Sequence, residues 1–318
     1  MRWPTPKRRR KPSALGSLVR GGAIGALAAA AIIPLVRKRY KVHPAVTTAA
    51  VASAPFALAV LQPRTKKRDA AVFALQMWAF TILHEVPYDD PDRLRERLQI
   101  EYPIAVDSKI GFGDLPTHRL QRAFSRPGHP RAHDVILAVA HWAWFFAPHL
   151  ALTWIIVRAD SRFARSARQM AFTYDLGALI YALVPTAPPW WAGENGYTPE
   201  PVRRLMVEVG KPLWGRAWDR MYDSLGGNPW AAMPSLHFAT SLMAAILLAE
   251  TGRAPGAIGW VYALKLGFAL VYLGEHYVVD LLVGTALVIA IRGGEPVVGP
   301  LAERVGLGVQ RLERLAAG

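Results

Sequence analysis

Three residues in the C-terminal third of the chain have the types and spacing to move a phosphoryl group. In Gly274-Glu275-His276-Tyr277-Val278-Val279-Asp280, a histidine and an aspartate stand four residues apart at the start of an apolar run. On a helix that spacing places them on one face and within reach of each other. A carboxylate bonded to one imidazole nitrogen fixes the tautomer and leaves the other nitrogen free as a nucleophile. A second string, Met233-Pro234-Ser235-Leu236-His237, opens another apolar run. Proline is suited to the first helical position. Ser235 and His237 then fall in the first turn, where unpaired N–H groups and the positive end of the helix dipole favour an anion. One histidine can attack phosphorus while the other protonates the leaving oxygen. Helix-end amides and basic side chains can hold the phosphate oxygens. This inventory calls for no metal and no other cofactor.

The elements that must carry these residues are membrane helices. The chain has 318 residues, 52% of them hydrophobic, with 38 Lys+Arg against 23 Asp+Glu and no cysteine. A net charge of +15 on a chain with only 19% charged residues excludes a disordered basic tail, and the lack of cysteine excludes a disulfide-stapled domain. The mean hydropathy of +0.17 is high for a soluble domain. Apolar blocks fall at about 14–36, 42–61, 70–86, 134–157, 169–184, 234–249, 256–273 and 277–291, several near the roughly 17-residue lower limit for spanning. The first follows the cation run from Lys7 to Lys11 but shows no convincing cleavage site, so it reads as a retained helix rather than a signal peptide. Two polar inserts interrupt the series, at 87–132 and 186–232. In the first, Leu94, Leu98 and Ile100 suggest a short amphipathic helix at the membrane surface.

With the N-terminal cations inside, the basic loops at 62–69 and 158–168 and the loop at 251–253 also fall inside, in keeping with the positive-inside tendency. The insert at 186–232 and the turn at 274–276 then face outward. Arg37, Lys38, Arg39 and Lys41 fall on the opposite side from this rule. One crossing and one return separate the two histidine strings, so both reach the same face. The cationic start serves topology and anionic lipid rather than nucleic acid.

These strings resemble the second and third motifs of the type 2 phosphatidic acid phosphatase superfamily. Pro185-Thr186-Ala187-Pro188-Pro189-Trp190 and Asn228-Pro229-Trp230-Ala231-Ala232-Met233-Pro234-Ser235-Leu236-His237 resemble, more narrowly, its inositolphosphotransferase branch, which includes the inositol phosphorylceramide synthases. The resemblance covers about residues 130 to 292. It implies His276 as a nucleophile forming a phosphohistidine, Asp280 as its orienting partner and His237 as the acid. It also implies an all-α bundle of six transmembrane helices, built from the last six blocks, behind an extra N-terminal hairpin. The expected organisation is thus a hairpin region at 1–69, a catalytic region at 70–292 and a tail at 293–318.

The superfamily carries an arginine six residues before the third-motif histidine, where this chain has Leu270. Counter-charge for the phosphate is then expected from Arg203, Arg204, Lys211, Arg216 or Arg220, with Ser235 and Trp190 also touching substrate. The implied activity is transfer of a phosphoinositol-type head group from a phospholipid to a lipid or sugar hydroxyl. The implied setting is a bacterial plasma membrane, with the site toward the extracytoplasmic face. A phosphatase using water as acceptor, a lipid or solute transporter and a membrane scaffold are the alternatives. Membrane lipids are the expected partners; the oligomeric state is not indicated.

Other residues receive structural readings. His141 and His149, eight apart on a Trp-rich helix, read as a buried hydrogen-bonded pair. Tyr88-Asp89-Asp90-Pro91-Asp92 reads as a solvated turn rather than a cation site. Trp190, Trp191, Trp214, Trp218 and Trp230 suit an interfacial belt. Asp175 and Lys265 lie within apolar blocks, where ionisable groups are costly, and are expected to pair across two helices.

Overall fold

A computed structural model describes residues 13–216, 218 and 228–317. Its helices are α1 (Ala14–Val36), α2 (Pro44–Leu61), α3 (Lys66–Glu85), α4 (Pro91–Arg95), α5 (Glu101–Ile110), α6 (Pro116–Phe124), α7 (Ala132–Ala143), α8 (Ala147–Arg158), α9 (Asp160–Leu183), α10 (Pro189–Glu194), α11 (Leu205–Trp214), α12 (Leu236–Ala249), α13 (Arg253–Tyr272) and α14 (Val278–Ala317). Among the described residues the β pairing consists of two isolated parallel bridges, Gln99 with Thr186 and Thr186 with Ala231. Helices α1, α2, α13 and α14, and the run Lys66–Asp89, are long and apolar enough to cross a membrane. The pair α7 and α8, bent by 54°, makes a sixth candidate. The chain is a polytopic, all-helical membrane protein. Each apolar block of the sequence lies in a helix, and the fourth is broken in two.

The described chain falls into two compact units. One comprises 1–82 and 295–318, and the other 83–294. Within the first, α1 and α2 form a hairpin whose turn carries Arg37, Lys38, Arg39 and Lys41. Arg37 is buried and donates to the Pro34 carbonyl at 3.4 Å, so the cluster that broke the charge rule is partly folded back into the hairpin. Glu313, near the end of α14, pairs with Arg64 at 3.3 Å and Arg68 at 3.4 Å, tying the basic loop to the C-terminal helix.

In the second unit, α12 and α13 approach closely because small residues face each other. A Cβ built on Gly259 would lie 2.8 Å from Ala245 Cα, and one on Gly256 would lie 2.7 Å from Ala249 Cα. Such contacts let two backbones meet without an intervening side chain, the usual packing device of membrane helices. At the far end of α12, Glu250 accepts from Arg292 at 2.7 Å and from Arg165 at 3.3 Å, and Arg292 also bonds the buried Gln169. One carboxylate thereby joins α9, α12 and α14. Glu250→Gln is expected to lower stability by about 1–3 kcal/mol, read as a lower melting temperature in detergent, with turnover per folded molecule unchanged.

The expected pair of Asp175 and Lys265 does not form. Lys265 is exposed on α13, Asp175 is half-buried on α9, and α12 packs against both of these helices. A polar tie among α9, α12 and α14 is supplied instead by the Glu250 cluster.

The insert at 87–132 also differs from its reading. Leu94 is buried in the one-turn α4, and the longer surface helices are α5 and α6. Pro116 starts α6 at a position where its missing N–H costs nothing. Asp90 caps α4 through Arg93 N at 3.2 Å, so the acidic stretch forms a capped turn. From α6, Gln121 donates to the carbonyls of Arg203 (2.8 Å) and Tyr272 (3.0 Å) and accepts from Arg203 N. One amide side chain thus fixes the start of α11 against the end of α13.

Candidate active site

The two histidine strings meet at the N-terminal ends of α12 and α14. Helix α12 starts at Leu236, two residues later than the proline suggested, with Ser235 as its N-cap. Tyr181 on α9 holds the approach, donating to the Pro234 carbonyl at 2.7 Å and accepting from Leu236 N at 3.3 Å. Helix α14 starts at Val278, so His276 precedes it in a turn rather than sharing a helical face with Asp280. That turn needs Gly274, whose φ of +82° is the left-handed region. It is closed by the N–H groups of Glu275 and His276, which both donate to the Leu270 carbonyl at 3.0 and 3.1 Å.

The side chains then form a short chain of contacts. Asp280 Oδ2 lies 3.3 Å from His276 Nδ1 and accepts from Tyr277 N at 2.9 Å. The other ring nitrogen, Nε2 of His276, lies 3.2 Å from His237 Nδ1. Asp280 is fully buried and His276 is 4% exposed. The peptide N–H of Ser235 donates to the Asp280 carbonyl at 3.0 Å, which joins the two strings by backbone. The aspartate thus occupies one nitrogen of His276, and the free one faces the second histidine.

The remaining candidates are distributed unevenly. Arg204 makes a two-point pair with Glu275, at 3.0 and 3.3 Å, and its guanidinium lies 3.8 Å above the Trp190 ring. Glu275 is the neighbour of His276, so Arg204 and Trp190 border the histidines. Arg203 turns away to Glu208, Ser125 and the Arg126 carbonyl. Lys211 and Arg216 are exposed, and Arg220 lies outside the described residues. The Ser235 hydroxyl is buried and accepts from Phe238 N at 3.3 Å, acting as a helix cap. Leu270 contributes only its carbonyl, its side chain being fully buried. Trp214 and Trp218 stack on Trp142, with ring centres 4.3 and 5.4 Å away, rather than on the histidines.

Two neighbours of the site carry no short-range sequence signal. Asp107 on α5 accepts from the N–H groups of Val278 and Val279, both at 2.8 Å, and so caps α14 from 171 and 172 residues away. Burial raises its carboxyl to about 6, with nearby Asp280 adding to the rise and the two N–H bonds opposing it. The second is His141. The break between α7 and α8 separates it from His149, which stacks on Tyr174. The expected His141–His149 pair is therefore absent, and His141 packs on His237 with ring centres 4.7 Å apart. Trp144, donating to Thr240 at 2.8 Å, lies 4.2 Å from the same ring.

A helical membrane bundle that brings two histidines and an aspartate to the ends of two adjacent helices defines a recognisable class. The model of the PAP2 superfamily matches residues 104–293, and the chain belongs to that superfamily. It is similar to the phosphoinositol dihydroceramide synthase of Bacteroides thetaiotaomicron, at 26% identity over 171 residues, covering 46% of this chain and 54% of that protein. It is also similar to the inositol phosphorylceramide synthase catalytic subunit of Schizosaccharomyces pombe, at 30% identity over 131 residues, covering 39% of this chain and 30% of that protein. The matched stretch spans about half of the first relative and under a third of the second. No solved structure gives a significant match.

Proposed function

We propose that the protein is a lipid phosphotransferase that works through a phosphohistidine at His276. The observation that carries this reading is the order of contacts, Asp280 on Nδ1 of His276 and His237 on its Nε2. Nε2 attacks phosphorus as the P–O bond of the donor lipid breaks, and His237 gives its proton to the departing oxygen. In the second half, His237 takes the proton of an acceptor hydroxyl, whose oxygen attacks phosphorus and releases His276. The named activities of the two relatives support a phosphoinositol-type head group as the transferred unit and a ceramide-type hydroxyl as acceptor. With the N-terminal cations cytoplasmic, these residues face the extracytoplasmic side of a bacterial plasma membrane.

Arg204 is the proposed counter-charge for the phosphate, in place of the arginine absent at Leu270. It borders the histidines, and a bidentate guanidinium suits phosphate as well as carboxylate. An entering anion would take over the guanidinium face that Glu275 holds. Arg204→Met is expected to lower kcat/KM for the phospholipid donor by about 100-fold, while Arg204→Lys recovers only part of it. Equal kcat/KM in Arg204→Met and the parent would remove this residue from the site.

The whole reading is tested with phosphatidylinositol labelled in the head group, incubated with and without ceramide. Transfer of label to ceramide supports the transferase. Release of labelled inositol phosphate without acceptor marks a phosphatase on the same histidines. Movement of intact donor across a vesicle, with no cleavage, would overturn the enzyme in favour of a transporter.

A further inference from the structure

The proposed mechanism uses two histidines, and a third is packed against them with nothing to bond. His141 lies in the last turn of α7, its ring tilted by 30° to that of His237. It is 4% exposed, and both of its ring nitrogens are enclosed without a hydrogen-bond partner. Glu275, His276 and Arg204 are the titratable groups near enough to act on it. Phenylalanine or leucine would fill the same space. An imidazole there leaves two polar atoms without a partner in the protein, and a buried polar group of that kind calls for a partner from outside the chain or a functional role.

The surroundings indicate what that partner is. His237 packs on His141 with ring centres 4.7 Å apart, so an oxygen that exchanges a proton with His237 comes close to both rings. The contact of 3.2 Å between His237 and His276 also covers Nε2 of His276. Phosphorus can reach His276 Nε2 only if that contact opens. A shift of the His237 ring on that opening would free an edge of the His141 imidazole.

We propose that a ring N–H of His141 donates to the bridging oxygen of the phosphoester, the atom that departs as a lipid hydroxyl and, in the return half, the atom that enters from the acceptor. This inference rests on the phosphohistidine reading of the same site. As the His276 Nε2–P bond forms and the P–O bond breaks, negative charge builds on that oxygen. The proton comes from His237, and His141 supplies a hydrogen bond while keeping its own proton. It serves as a fixed donor aimed at developing charge.

The test compares the parent, His141→Phe and His141→Gln as full-length proteins in defined detergent. Donors are labelled phosphatidylinositol and a nitrophenyl phosphodiester, whose leaving oxygen is stabilised without protein help. On the lipid donor, His141→Phe is expected to lose about 100-fold in kcat with little change in KM, and His141→Gln to regain at least about tenfold of that loss. On the nitrophenyl donor the loss in His141→Phe should shrink by at least about tenfold. Parental kcat in His141→Phe on the lipid, or an equal loss on both donors, would overturn the proposal and leave His141 a packing residue. If His141→Phe does not fold, a kcat in His141→Gln that falls equally on both donors is the overturning result. A parent that cleaves the nitrophenyl donor but no phosphatidylinositol refutes the head-group assignment alone, and the variant-to-parent ratio on a second phospholipid then decides the role of His141. A parent that cleaves none of these donors refutes both readings.

Discussion

His276→Ala is expected to abolish head-group release, by at least about 10,000-fold, and to take up no label from the donor lipid. The parent, quenched during turnover, should carry a label that is acid-labile, as a phosphorus–nitrogen bond is. The size of the effect follows from geometry, since His276 has a carboxylate on one ring nitrogen and a histidine on the other. Asp280→Asn should fall by about 1,000-fold, because an amide can reverse the tautomer that the carboxylate fixes. Removing the ring also leaves the buried Asp280 with Tyr277 N as its remaining partner. His276→Gln, which keeps a donor for that carboxylate, is therefore the companion variant for stability. Parental turnover in a folded His276→Ala protein would rule out the phosphohistidine.

Asp107→Ala is expected to cost about 100-fold in kcat, though Asp107 touches neither histidine. Two N–H groups at the start of α14 would lose their acceptors, each at about 1–3 kcal/mol. The turn that holds His276 would shift with the helix start, and displacements near 1 Å cost about 100-fold in rate. Asp107→Asn keeps one oxygen and should lie between the parent and the alanine variant. The pH dependence of stability gives an independent check. The folded carboxyl sits near 6, above the roughly 4 of an unfolded aspartate, so the folded state binds the proton more tightly. Its contribution to stability is complete below about pH 4 and is lost as pH rises through 6. The parent's melting temperature should therefore fall, relative to Asp107→Asn, between about pH 4 and 6 and run parallel above that range. Parallel curves throughout, with parental kcat in Asp107→Ala, would remove this cap from the argument.

How much of this was legible in the sequence depends on the reach of each signal. Apolar blocks announce membrane helices because every backbone polar group in lipid must be satisfied within the segment. All eight blocks became helical, but among the described residues only five, or six with the bent pair α7 and α8, are long and apolar enough to cross, where eight were expected. The spacing of His276 and Asp280 was informative even though α14 starts after the histidine. The carboxylate that would have met it on a helical face meets it across the first turn instead. The break between α7 and α8 was not legible, and it separated His141 from His149. Nor was Asp107, since a cap supplied from more than 170 residues away leaves no local pattern. Of the five cations named for the phosphate, composition could not distinguish Arg203 from Arg204. They diverge because Glu208 and Ser125 hold one, while Glu275 and Trp190 hold the other.

The two isolated bridges around Thr186 bear on how such a protein tolerates change over time. Gln99 N donates to the Pro185 carbonyl at 2.8 Å and Ala187 N to that of Gln99 at 3.0 Å. On the other side, Thr186 N donates to the Trp230 carbonyl at 2.9 Å and Ala232 N to that of Thr186 at 3.2 Å. Three stretches far apart in the chain are thereby clasped just ahead of Pro234-Ser235. Every bond in the clasp belongs to the main chain, which offers the same groups for any residue but proline. Substitutions can accumulate at the exposed Gln99 and the half-buried Ala231 without loosening it, so the approach to the histidines is kept while the side chains around it change.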